Sequence, residues 1–126
     1  MIRFWPRRPR FPVIIDTGSE LIGARTAAEC TRAVARARTV AGEATIVVID
    51  ATAEGFGFLP KMMVIAPSIT IRKWTKAEIV ALFNSRRDPG SAAYPVTSLG
   101  NRSIERVVSQ IVQLLDQPGL PSGPAR

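Results

Sequence analysis

Apolar residues recur along this chain at two different spacings, and the switches between them mark its elements. Phe11 to Ile15 is a short apolar run closed by Asp16-Thr17-Gly18-Ser19, a pattern that predicts a strand ending in a turn. Cys30, Ala33, Val34, Ala37, Val40 and Ala41 then recur at helical spacing. Thr26 and Glu29 precede them at the capping-box interval, and Gly42 stands at the stop position. A helix over 26–41 follows, with Arg32 and Arg36 on its outer face. Thr45 to Ile49 is β-branched throughout, as a central strand buried on both faces would be. Phe56 to Leu59 and Met62 to Ala66 predict one returning strand bent at Pro60-Lys61, or two short ones. Ile69 to Arg72 adds a further short strand.

The second half is helical in period. Thr75 and Glu78 form another capping box, and Trp74 and Ile79 have the spacing of a hydrophobic staple. Ile79, Val80, Leu82 and Phe83 give that helix its apolar face, which fades near Asn84 to Arg86. After a connector at 88–93, Ile104, Val107, Val108, Ile111, Leu114 and Leu115 make a regular stripe, ended by Pro118-Gly119. These elements predict an α+β protein: a small three- to four-stranded sheet in β-α-β-β order, covered by helices, with two C-terminal helices. The core expected from the apolar phases is Val13, Ile15, Val34, Ile46, Val48, Ile65, Trp74, Leu82, Ile104, Val108, Ile111 and Leu115. The chain divides into a basic N-terminal arm at 1–10, a single domain at 11–117 and a disordered tail at 118–126. Within the domain, 11–72 supply the sheet and its helix, and 74–117 the helical half.

Composition narrows the chemistry. The 126 residues suit one domain, and 46% apolar with 21% charged is ordinary for a globular chain. Histidine is absent and Cys30 is the only cysteine. A zinc site built from Cys and His, imidazole catalysis and an intramolecular disulfide are therefore excluded. No run of about 18 apolar residues would cross a membrane, and the basic start lacks the apolar stretch of a secretory signal. A cytoplasmic protein without membrane partner, metal or cofactor is expected. Lys plus Arg number 17 against 10 acids, a net charge of +7, and only Lys61, Lys73 and Lys76 are lysines. Arginine suits phosphate because its planar fork donates paired hydrogen bonds. A GC-rich genome accounts for the same bias.

Few residues suggest catalysis. Val13-Ile14-Ile15-Asp16-Thr17-Gly18-Ser19 resembles the strand and Asp-Thr-Gly segment of aspartic proteases, which implies a homodimer sharing a proton between two Asp16 side chains. Asp, Thr and Gly are also what a turn after a strand wants. Gly55-Phe56-Gly57 lacks the third glycine of a dinucleotide loop. Asp16, Asp50 and Glu54 read as solvated loop acids, and Cys30 as a buried structural thiol on its helix's apolar stripe. The chain is expected to bind and not to catalyse.

Trp74 to Leu82 and Leu99 to Val108 (Leu-Gly-Asn-Arg-Ser-Ile-Glu-Arg-Val-Val) resemble the first helix and the turn plus recognition helix of three-helix DNA-binding domains of the Myb/SANT type. The resemblance spans about residues 74–117 and implies that Arg102, Ser103, Glu105, Arg106, Ser109 and Gln110 face DNA. Its middle helix would have to come from Ala92 to Leu99, where Pro95, Val96 and Thr97 form helix poorly. The same residues also suit two capped helices that cover the sheet, with Trp74 a core anchor. DNA or RNA is thus one expected partner, held through Arg3, Arg7, Arg8, Arg10, Arg72, Lys73, Lys76, Arg102 and Arg106. The alternative is an adaptor or accessory subunit that meets a protein through Phe4 and Trp5. Cations gathered on one face favour nucleic acid, and scatter favours the adaptor.

Overall fold

The computed structural model describes residues 2–41, 46–68, 73–87, 90, 93–95 and 99–115. Its elements run β1 (Arg3–Phe4), β2 (Val13–Asp16), β3 (Leu21–Ala24), α1 (Ala27–Ala41), β4 (Val47–Ile49), β5 (Gly55–Leu59), β6 (Val64–Pro67), α2 (Lys76–Arg86) and α3 (Ile104–Leu115). A single 3-10 turn, Leu99–Asn101, precedes α3. The six strands form one sheet in the order β1-β6-β5-β4-β2-β3. Every neighbouring pair is antiparallel except β1 with β6, which is parallel.

The α+β class and the two C-terminal helices hold, but the expected three- to four-stranded sheet in β-α-β-β order is wrong. The sheet is mixed and has six strands. Two strands escape a periodicity reading for physical reasons. β1 is two residues long and lies among arginines and prolines, so its pairing is dictated by β6 and not by its own pattern. β3 reads Leu-Ile-Gly-Ala, with two residues of low strand propensity, yet pairs in full register with β2 from Val13↔Ala24 to Asp16↔Leu21. Phe56–Leu59 and Met62–Ala66 resolve into an antiparallel pair, β5 and β6. The strand expected at Ile69 to Arg72, the Gly42 stop, the Pro118-Gly119 end and the 118–126 tail lie outside the described residues.

Two apolar clusters lie on opposite faces of the sheet. Val13, Ile15, Val48, Phe56 and Ile65 face α1, where Cys30, Ala33 and Val34 meet them. Ile14 and Ile49 face the other way, against Ile79, Val80 and Phe83 of α2 and Val107, Val108 and Ile111 of α3. Helices thus cover both faces, which is why Val-Ile-Ile in β2 shows no polar alternation: all three are fully buried. Of the expected core, Val13, Ile15, Val34, Ile46, Val48, Ile65, Val108 and Ile111 are buried. Trp74, Leu82, Ile104 and Leu115 are only half-buried at the margin of the second cluster.

Local signals explain the helices. At α2, Thr75 Oγ1 accepts from Glu78 N at 3.1 Å while Thr75 N donates to Glu78 Oε1 at 2.9 Å, a complete capping box. At α1, Thr26 Oγ1 accepts from Glu29 N, but Glu29 Oε1 takes its proton from Arg25 N, one residue earlier. The seat of α3 depends on Gly23. A Cβ there would stand 2.9 Å from Val112 Cγ1 and 3.3 Å from Val112 Cα, so only glycine lets the helix backbone approach β3 so closely.

Candidate functional site

Residues 2–10 are built into the fold. Arg3 N donates to Met63 O at 3.0 Å and Trp5 N to Ile65 O at 3.1 Å, extending the β1–β6 ladder by one residue. Ile2 is buried on the α1 side, and Phe4 packs there with its ring edge-on to Phe11 at 6.2 Å. The chain then reaches the β4–β5 turn, where Ala51 N donates to Arg10 O at 2.8 Å and Arg10 N donates to Asp50 Oδ2 at 3.0 Å. Asp50 is 1% exposed and also accepts from Thr52 N, Thr52 Oγ1 and Glu54 N. Its carboxylate is saturated, so it acts as a clip that ties the N-terminal segment to the turn. Arg7 pairs with Glu54 and lies over the Phe56 ring, 5.3 Å from its centroid. The hydrogen bond to Glu54 is the main reason its pKa is raised above the ordinary value.

This anchoring creates a groove of about 370 Å³ between β1 and the first turns of α1. Ile2, Arg3 and Phe4 line one wall, Ala27, Ala28 and Thr31 the other, and Arg8 of the crossing segment completes it. Arg3 and Arg8 are exposed, and neither side chain forms an ion pair or hydrogen bond among the described residues. The opening amides of an α-helix have no partner inside it, and they carry the positive end of its dipole. Arg32 follows Thr31 and lies one turn beyond Ala28; it too is exposed and unpaired. Two unpaired guanidinium groups, Arg3 and Arg8, therefore line one groove. Arg32 was assigned by the sequence only to an outer helix face, and Ala27, Ala28 and Thr31 to no site. The Thr26–Glu29 box that fixes where α1 begins is the signal for them.

The cations of the second half are used differently. Lys76 Nζ donates to Leu99 O at 2.9 Å and Arg102 O at 2.7 Å, closing the 3-10 turn onto α2. Arg102 stacks over the Tyr94 ring at 5.6 Å, and the Tyr94 hydroxyl donates to Gln110 of α3. Lys73 Nζ donates to Thr52 O at 2.8 Å. Arg86 pairs with Asp16, and Arg106 is exposed on α3. Arg72 lies outside the described residues. Part of the middle segment of the Myb/SANT-like arrangement lies outside the described residues, and α3 sets Val107, Val108, Ile111 and Val112 against the sheet. Residues 93–95 are not helical, and Leu99 only begins the 3-10 turn.

Asp16 closes its own turn, accepting from Gly18 N at 2.9 Å, and accepts from Arg86 Nε at 3.3 Å. Gly18 takes φ of +97°, the left-handed geometry that this turn requires. Cys30 is fully buried, and desolvation alone pushes its thiol up to about 12. Among the described residues no three carboxylate or thiol groups gather as a metal site would need, and no helix is long and apolar enough to cross a membrane. Comparison with protein families, with curated proteins and with solved structures finds no match to this chain.

Proposed function

We propose that this protein is a small non-catalytic binder of nucleic acid, and that it contacts phosphate through its N-terminal half. The observation that supports this is the pair Arg3 and Arg8, exposed and unpaired on one groove against the start of α1, with the exposed Arg32 further along that helix. Guanidinium groups held by a docked segment lose less freedom on binding than those of a loose arm. A helix N-terminus favours the same anionic partner. Asp16, held by Arg86 and by its own turn, suits a structural role better than the shared-proton chemistry of a protease.

The test is a salt titration. Affinity for nucleic acid should fall linearly on a log–log plot, with a slope near −0.9 per phosphate neutralised on a duplex and −0.7 on a single strand. Absence of any binding at about 50 mM salt and micromolar protein, where weak phosphate association persists, would overturn the proposal. One observation favours the adaptor alternative: Trp5 is 63% exposed, as an interface anchor would be, although Phe4 is packed inside.

A further inference from the structure

We infer, resting on that reading, that the nucleic acid is single-stranded and that Trp5 is the platform on which one of its bases stacks. Among the described residues, Trp5 is the most exposed large apolar side chain, at 63%. It is not loose. Its amide is bonded to Ile65 O, so the ring leaves a backbone already fixed by the sheet. Arg3 and Trp5 are two residues apart along the β1–β6 ladder, and Ile2 and Phe4, at the alternate positions, enter the core. Side chains at i and i+2 of an extended chain share a face, so the alternation puts the unpaired Arg3 on the same side of the segment as the indole. Arg8 follows three residues later, also unpaired, and with Arg3 lines the groove, which Trp5 itself does not line.

An aromatic ring interleaved with free cations is what an unpaired strand needs: phosphates for the arginines and an open base face for the ring. A duplex supplies the phosphates but keeps its base faces inside the stack. The phosphate pairing alone would serve either polymer, and it is the exposed indole that selects between them. An acidic protein surface would satisfy the arginines too, yet would give no dependence on bases.

Three probes of about 12 nucleotides separate these cases: oligo-dT, a duplex of the same length, and an abasic strand carrying the same phosphates. The whole protein should prefer oligo-dT to the abasic strand by about tenfold, as one stacked base allows. Trp5→Ala should erase that preference and leave abasic binding unchanged, and Trp5→Phe should keep most of it. Equal binding to all three probes, untouched by Trp5→Ala, would overturn the inference while leaving nucleic-acid binding in place. A uniform loss with all three probes in Trp5→Ala would also overturn it, since the ring would then be supporting the segment. No binding to any probe would overturn both proposals.

Discussion

The two halves of the molecule carry the same kind of charge, and folding supplies its cations with partners unevenly. In the C-terminal half, Lys76 fastens a 3-10 turn, Arg86 neutralises Asp16 and Arg102 covers Tyr94. In the N-terminal half, Arg7 pairs with Glu54, whereas Arg3, Arg8 and Arg32 have no partner among the described residues, and Arg3 and Arg8 line one groove. A cation count treats all of these alike. What separates them is whether folding brings a carbonyl, a carboxylate or a ring within reach, and a local pattern does not encode that.

The strongest way to break the contrast is to release the N-terminal segment. Asp50→Ala removes the acceptor of four hydrogen bonds in a site that is 1% exposed, leaving the donors of Arg10, Thr52 and Glu54 unmatched. Urea unfolding should show a loss of about 3 kcal/mol, and nucleic-acid affinity should fall with it because the groove loses its fixed wall. Gly23→Ala addresses the opposite face. The new methyl would meet Val112 at 2.9 Å, so stability should drop by about 1–3 kcal/mol as α3 is pushed off β3. Affinity for nucleic acid should not change in that variant, because α3 serves the core.

A smaller effect sharpens the comparison within the cations themselves. Lys76→Met removes the hydrogen bonds to Leu99 O and Arg102 O from a half-buried site, and should cost about 1–2 kcal/mol with binding preserved. Smallest near neutrality is the effect of Cys30 titration. Its folded pKa is raised to about 12, so the unfolded thiol loses its proton first as pH rises. Stability from this group is complete below the unfolded pKa, about 8.5, and should decline between there and pH 12, by up to about 1.4 kcal/mol per pH unit. Stability profiles of Cys30→Ala and the parent chain should converge over that range.

Much of the architecture was legible because it is local. The threonine caps at Thr26 and Thr75, the stripe of α3 and the β-branched run of β4 announce themselves within a dozen residues, and each element lies where its pattern puts it. β1 and β3 are different. Arg3-Phe4 and Leu21-Ile22-Gly23-Ala24 become strands because β6 and β2 offer them open edges, 61 residues away at Arg3↔Val64 and between 5 and 11 residues away from Asp16↔Leu21 to Val13↔Ala24. The site suffered in the same way. Arg3 and Arg8 could be named as cations from sequence, but the groove beside them exists only because Asp50, forty residues on in the chain, holds Arg10. Arg106, singled out by the likeness of a short motif, sits on α3, whose apolar side belongs to the sheet, and Arg102 lies between the 3-10 turn and that helix.

Paired salt titrations on two double variants measure the contrast directly. Arg3→Ala with Arg8→Ala removes two unpaired cations from the groove, and Arg102→Ala with Arg106→Ala removes two arginines around α3, one of them stacked on Tyr94. With a single-stranded oligonucleotide the first pair should reduce the log–log slope by about 1.4, at 0.7 for each lost phosphate contact, and the second should leave the slope at its parent value. A slope that falls in the α3 pair and holds in the groove pair would contradict the account and return the contact surface to the C-terminal helices.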